Sequence, residues 1–348
     1  MFSIENKQVG FGAPPFVIAE MSGNHNQSLE RALELVDVAA DAGAHAIKLQ
    51  TYTADTMTID HSGEGFHIAD PNSLWSGRSL YELYQEAHTP WEWHHAIFAR
   101  ARARGIIPFS TPFDDTAVDF LESLGVGAYK IASFENTDLP LIRKVAKTGK
   151  PLIISTGMAS LAELDESMRA AREAGCKNIV LLKCTSSYPS SPENTNINTI
   201  PHMRELFDCE VGLSDHTMGC GAAVAAVALG ASVIEKHFTL SRAEGGVDSA
   251  FSLEPDELRQ LVLETERAWQ ALGRISYGPT AAEKPSLAFR RSLYAVADIA
   301  AGEKLTTENV RAIRPGYGLP PKFIDAVIGK HAKADISRGT ALRWELLG

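Results

Sequence analysis

Two histidines, His216 and His237, stand at the ends of two short apolar runs near the middle of a 348-residue chain. The first run is Cys209-Glu-Val-Gly-Leu-Ser-Asp-His216 and the second is Ala231-Ser-Val-Ile-Glu-Lys-His-Phe238. The Ala/Gly-rich stretch Met218–Leu229 between them reads as a helix. The pattern is strand, helix, strand, with a histidine at the C-terminal end of each strand. In a parallel α/β barrel those ends face the active site. Neutral imidazole is a common ligand of catalytic divalent ions. The pair points to a metal at a barrel mouth, and Mn²⁺, Mg²⁺ and Co²⁺ suit two histidines equally well. Asp215 and Glu235 flank the histidines and read as acceptors that would orient the imidazoles.

The ends of the preceding strands share a character. Glu20 ends the first, Lys48 and Gln50 the second, Ser110 and Thr111 the third. Lys130 and Ser133 end the fourth, Ser155 and Thr156 the fifth, and Thr185, Ser186, Ser187 and Tyr188 follow the sixth. Two lysines and several hydroxyls on one rim suit a ligand carrying a phosphate and a carboxylate. Taken singly, each residue has a plainer explanation as a solvated lysine, a helix cap or a core histidine. However, Lys48 and Lys130 lie inside the apolar runs Ile47-Lys48-Leu49 and Tyr129-Lys130-Ile131, where an uncompensated ammonium is costly. Asp248, after Glu244-Gly-Gly-Val247, either meets substrate hydroxyls or solvates a loop. His25, His45, His61, His67, His88, His94, His95, His202 and His331 fall in helices, loops or a long connection and are weaker ligand candidates.

These side chains need a scaffold. Eight strands are expected at Phe16–Glu20, Ala46–Gln50, Ile106–Thr111, Ala128–Ser133, Pro151–Thr156, Ile179–Thr185, Val211–Ser214 and Ser232–His237. Several are near-continuous apolar runs, as in strands covered on both faces. Helical spacing covers Ala32–Ala40, Asp114–Leu124, Leu139–Lys147, Leu161–Ala174 and Pro255–Leu272. This is the pattern of a (β/α)8 TIM barrel. An open doubly wound sheet has less support, because no Gly-x-Gly-x-x-Gly turn follows the first strand. The connection 51–105 is unusually long, carries Trp75, Trp91 and Trp93, and reads as a substrate lid. The expected organisation is a barrel over 1–272, a linker over 273–288 and a small domain of short strands and turns over 289–348.

The net charge of −10 argues against a nucleic-acid or anionic-membrane binder. Residues 285–348 carry +4 and residues 1–284 carry −14, so the small domain can bring a cation to an acidic neighbour. Four cysteines without metal or redox spacing, and a start without an apolar core, fit a cytoplasmic chain. No apolar stretch is long enough to span a bilayer.

Taken together, the motifs resemble the sialic acid (nonulosonate) synthase family over nearly the whole chain. The segments are Ile18-Ala-Glu20, Gly23-Asn-His-Asn26, Ile47-Lys-Leu-Gln50, Ser110-Thr-Pro-Phe113, Tyr129-Lys-Ile-Ala-Ser133, Ser155-Thr-Gly-Met158, Cys184-Thr-Ser-Ser-Tyr-Pro189, Gly212-Leu-Ser-Asp-His-Thr217 and Glu235-Lys-His-Phe-Thr239. The tail with Arg314-Pro-Gly316 resembles the family's antifreeze-like (SAF) domain. Glu20-Met-Ser-Gly-Asn-His25, Tyr52–Thr58, Ser79–Tyr84, His88–Trp93 and Phe134–Asp138 are most similar to the pseudaminate-forming branch. The resemblance implies condensation of phosphoenolpyruvate with an open-chain acetamido sugar, 2,4-diacetamido-2,4,6-trideoxy-L-altrose in that branch. N,N'-diacetyllegionaminate or N-acetylneuraminate synthesis is the alternative, and a pyruvate-dependent metal aldolase a more distant one. It further implies metal ligands at His216 and His237, and phosphoenolpyruvate contacts at Lys48, Thr111, Lys130, Ser133, Ser155 and Ser214. A catalytic carboxylate falls at Glu20, and sugar contacts at Gln50, Tyr188, Asp248 and Arg314, the last reaching a partner's barrel in a domain-swapped homodimer. Because Met21-Ser22 departs from the sialate pattern, the sugar contacts of that loop are left open.

Overall fold

Alternation along the strands decides which side chains reach the mouth. The computed structural model describes residues 1–71 and 73–348 and divides into two units, Met1–Gly273 and Arg274–Gly348. The first begins with a short antiparallel hairpin, β1 (Phe2–Ile4) and β2 (Lys7–Val9). Eight parallel strands follow: β3 (Phe16–Glu20), β4 (Ala46–Thr51), β5 (Ile107–Pro112), β6 (Tyr129–Ile131), β7 (Leu152–Ser155), β8 (Ile179–Cys184), β9 (Glu210–Asp215) and β10 (Val233–His237). They close in sequence order, with β10 beside β3. The expected TIM barrel is therefore present.

One set of alternate residues fills the barrel. Phe16, Ile18, Ala46, Ile107, Phe109, Ile153, Val180, Leu182 and Val233 pack together, with Ile4 and Val9 of the hairpin in the same cluster. The intervening set, including Val17, Ala19, Ile47, Leu49, Ile131, Ile154, Leu213 and Ile234, packs against the surrounding helices. Two-residue periodicity then carries the inward set upward to Glu20, Lys48, Thr111, Lys130, Ser155, Ser214, Glu235 and His237. Gly212 holds the inward position of β9 two residues before Ser214, and its close neighbours leave no room for a side chain. A Cβ there would lie 2.2 Å from the Val233 carbonyl oxygen and 2.6 Å from Leu182 Cδ2.

The outer helices are α1 (Leu29–Asp41), α4 (His94–Ala103), α5 (Asp115–Ser123), α6 (Leu139–Ala146), α7 (Leu161–Glu173), α8 (Thr199–Phe207), α9 (Gly221–Ala228) and α10 (Pro255–Leu272). Side chains of Ser28, Asp114, Asp138 and Ser160 cap the starts of α1, α5, α6 and α7. Two short helices, α2 (Ala54–Met57) and α3 (Leu80–Ala87), lie in the long β4–α4 connection. The second unit pairs β11 (Ser292–Ala295) with β12 (Val310–Ile313) and carries α11 (Ile324–Val327). Its own core includes Leu293, Ile299, Leu305, Val327 and Leu342. No helix among the described residues is long and apolar enough to cross a membrane.

Candidate functional site

Strand register builds a buried charge box at the C-terminal mouth. Glu20 lies beside Lys48 on one side and His237 on the other, and Glu235 lies beside Ser214. Lys48 Nζ is 2.5 Å from Glu20 Oε2 and 3.9 Å from Glu235 Oε2. Lys130 Nζ donates to Glu235 Oε1 at 2.9 Å, and the Ser214 hydroxyl donates to the same oxygen at 3.1 Å. Lys48 also donates to Thr111 Oγ1 at 3.1 Å, and Gln50 Nε2 donates to Glu20 Oε1 at 3.0 Å. The two carboxylates thus compensate the two ammoniums that sit in apolar strands.

The carboxyls diverge in proton affinity. Burial pushes Glu20 up and Glu235 adds to this, against the pull of Lys48, so Glu20 titrates at about 7. Burial also pushes Glu235 up, but Lys130 and Lys48 outweigh it and hold Glu235 at about 2. One carboxyl of the box is therefore poised near neutrality while the other stays ionised.

Glu235 and Asp215 do not orient the histidines as the sequence suggested. Glu235 turns to the lysines, and Asp215 pairs with buried Lys236 at 2.6 Å on the outward set of the strands. Instead, His216 Nδ1 meets the Thr185 carbonyl at 2.9 Å, which leaves Nε2 free. His237 Nδ1 has no hydrogen-bond partner, and Asp248 Oδ2 lies 3.7 Å from it. The Ser22 hydroxyl donates to that same Asp248 oxygen. Burial and the nearby His216, Lys48, Lys130 and Lys236 push His237 well below its usual range, so it is neutral and fit to ligate. The two imidazole centroids are 5.3 Å apart. The two buried imidazoles, edge-on to each other beside the Asp248 carboxyl, fit a divalent ion that takes its remaining ligands from water or substrate. No group of three or more metal-ligating side chains occurs among the described residues.

Beside the box is a hydroxyl cradle. The buried Ser155 and Ser186 hydroxyls have no partner. Gly157, with φ +48°, threads between Ser133 and Ser186, where a Cβ would come within 2.4 Å of Ser133 Cβ. Unpartnered donors around an open backbone are what an oxyanion would use. The Ser133 hydroxyl donates to Cys184 Sγ at 3.3 Å, and His216 Nδ1 is 4.0 Å away. Burial pushes that thiol up, but His216 and Ser133 outweigh it and bring it to about 6.

An aromatic wall borders the histidines. Tyr188 packs 4.5 Å from His216 and 5.2 Å from Phe251, and Phe251 is 4.9 Å from His237. The structure thus gathers Glu20, Lys48, Gln50, Thr111, Lys130, Ser133, Ser155, Tyr188, Ser214, His216, His237 and Asp248 at one mouth. Ser133 sits in the turn after β6 and not on the strand, which ends at Ile131. Arg314 stands exposed after β12 in the second unit, where Ser292 Oγ donates to Pro315 O at 2.7 Å and fixes the turn. The sequence placed Ser186 on the rim but did not reveal the bridging role of Glu235 or the place of Cys184. Two-residue alternation from His237 would have put Glu235 inside the barrel.

A model of the NeuB family matches residues 35–277, and one of the SAF domain matches residues 290–348. A pseudaminic acid synthase from Campylobacter jejuni subsp. jejuni serotype O:2 is 46% identical over 94% of this chain and 95% of its own. One from Helicobacter pylori is 42% identical over 94% of this chain and 96% of its own. The crystal structure of an N-acetylneuraminic acid synthetase from Leptospira borgpetersenii, in complex with citrate, superimposes with a TM-score of 0.73 at 32% identity. It covers 82% of this chain and 94% of that one. By sequence over most of its length, and by barrel architecture, the chain belongs to the NeuB family.

Proposed function

We propose that this chain condenses phosphoenolpyruvate with 2,4-diacetamido-2,4,6-trideoxy-L-altrose, giving pseudaminate and phosphate. The observation that carries the reaction class is the buried lysine pair and hydroxyl cradle beside two buried imidazoles 5.3 Å apart. The choice of sugar rests on the 46% identity to a pseudaminic acid synthase.

Lys48 and Lys130, with Thr111, Ser133, Ser155 and Ser214, hold the phosphate and carboxylate of phosphoenolpyruvate. Gln50, Tyr188 and Asp248 hold the sugar, with Arg314 supplied by the second unit of a partner in a domain-swapped homodimer. His216 and His237 hold a divalent ion, Mn²⁺, Mg²⁺ or Co²⁺, whose contribution when bound is to polarise the aldehyde oxygen. Carbon 3 of phosphoenolpyruvate attacks the aldehyde carbon, and positive charge develops at carbon 2. The Glu20 carboxylate stabilises that charge and takes a proton from the water that adds there. The tetrahedral adduct then breaks its carbon–oxygen bond to phosphate, which leaves against Lys48 and Lys130 with the proton of the carbon 2 hydroxyl, while the proton taken by Glu20 goes through solvent to the sugar alkoxide. An aldolase using free pyruvate has no need of this cradle.

The test is formation of the nine-carbon keto acid, and of phosphate where phosphoenolpyruvate is used, with a panel of acetamido sugars and either phosphoenolpyruvate labelled at the bridging oxygen or pyruvate. Label should leave in phosphate, and the diacetamido sugar should be the preferred acceptor. Label retained on the pyruvyl carbon, or turnover with pyruvate alone, would overturn the scheme.

A further inference from the structure

One side chain of the long β4–α4 connection, Trp75, is hydrogen-bonded beside Asp248. Trp75 Nε1 donates to the Val247 carbonyl at 2.9 Å, immediately before Asp248. The indole lies 5.9 Å from the Tyr188 ring, tilted by 54°. Trp75 thereby extends the aromatic wall formed by Tyr188 and Phe251 outward from the histidines. Trp75 and Tyr188 are both only half-buried. The wall comes from the lid and the loops after β8 and β10, whereas the two lysines come from β4 and β6.

The lid holds its shape by other contacts. Ile68 N donates to Arg78 O at 2.9 Å, Gly77 N to Ile68 O at 2.8 Å and Leu80 N to Phe66 O at 2.9 Å. Gln27 Nε2 ties its base down through Glu86 O at 2.8 Å and His88 O at 2.7 Å. The Trp75 indole takes no part in that backbone ladder, and its N–H is tied to the loop of Asp248.

We propose that Trp75 is a specificity-determining residue that covers the sugar and reads its methyl-bearing end. This rests on the reading of the site given above. Aromatic faces favour C–H-rich and methyl groups over hydroxyls. The diacetamido sugar offers a 4-acetamido methyl and a 6-methyl where N-acetylmannosamine offers two hydroxyls. An indole and phenol wall rewards the former and leaves the latter without hydrogen-bond partners. The bond to Val247 also ties the indole to the loop that carries Asp248.

The experiment compares wild type, Trp75→Phe and Trp75→Ala in steady-state phosphate release, varying sugar and phosphoenolpyruvate separately. In Trp75→Ala the KM for the diacetamido sugar should rise about tenfold or more, within the range of a lost apolar contact. KM for phosphoenolpyruvate should stay within about twofold, which also shows that the barrel is folded. The preference over N-acetylmannosamine should fall by about the same factor as sugar KM rises. Trp75→Phe keeps a ring but not the N–H, and should fall between. Titration with the reduced, unreactive alditol in the presence of phosphoenolpyruvate should change the wild-type tryptophan fluorescence, and Trp75→Phe should lose that change. An unchanged sugar KM, an equal rise in both KM values, or an unchanged sugar preference overturns the assignment. If wild type does not use the diacetamido sugar, the proposed substrate falls. Trp75 as the sugar's cover then stands or falls on the same KM split measured with whichever acetamido sugar is turned over.

Discussion

Glu20 and Glu235 share one box with Lys48 and Lys130, yet they bind protons very differently, and this is testable one residue at a time. Glu20 titrates at about 7, so the fraction able to act as a base grows as pH rises through neutrality. The kcat/KM profile should show an acid limb near that value. In Glu20→Gln the limb should disappear and the rate should fall by about 10²–10⁴, the usual worth of a positioned base. Stability moves the other way. A carboxyl raised from 4.5 to about 7 on folding stabilises the native state below 4.5, and that contribution is lost as pH rises through 7. Glu20→Gln should therefore gain on wild type in thermal melts as pH increases over that window. Lys130→Met removes the cation 2.9 Å from Glu235 and strands a buried carboxylate, at a cost of about 3–5 kcal/mol in denaturant unfolding. Adding Glu235→Leu should recover much of the loss, because the remaining Glu20–Lys48 pair is neutral. At this scale the sequence indicated that Lys48 and Lys130 needed counter-ions, since both sit in apolar strands. It did not indicate which, because Lys130 and Glu235 are 105 positions apart and meet only when the barrel closes.

At the scale of elements, the eight barrel strands were readable because burial on both faces leaves apolar runs that little else produces. The elements that escaped had weaker signatures. The β1–β2 hairpin has only three residues in each strand. The apolar face of α8, Ile200, Met203 and Phe207, is interrupted by Pro201 and polar neighbours. The helices α3 and α4 lay hidden in a connection whose tryptophans and histidines suggested a lid. α4 is in fact a barrel helix that buries Ile97, Phe98 and Ala101. Gly212 carries a prediction that strand propensity would reverse. Alanine ordinarily suits a strand interior better than glycine, but here the new methyl would press on the Val233 carbonyl at 2.2 Å. β9 and β10, which carry or lead to the two histidines, would have to move apart. Gly212→Ala should destabilise the barrel by about 1–3 kcal/mol or more, as overpacking does. A melting temperature equal to wild type would show that the barrel has slack at this point.

At the scale of the whole molecule, the feature that composition shows is uneven charge. Residues 285–348 carry +4 against −14 in the remainder, and Arg314 stands exposed at a turn fixed by Ser292. If Arg314 completes the barrel of a partner, two inactive variants should repair one another. Arg314→Ala keeps a complete barrel mouth, and His237→Ala keeps a complete Arg314. In a mixed dimer with exchanged second domains, the arginine of the His237→Ala subunit serves the intact mouth of the Arg314→Ala subunit, giving one working site. Random assortment makes half of the dimers mixed, so an equimolar, unfolded-and-refolded or co-expressed mixture should recover about one quarter of wild-type activity. If each arginine serves its own barrel, no dimer holds a complete site and the mixture stays as inactive as its parents. The choice of partner variant matters, because Lys130→Met or Gly212→Ala would confound assembly with stability. His237→Ala removes a side chain with no hydrogen-bond partner at Nδ1 and leaves the charge box intact, so its loss is confined to the site.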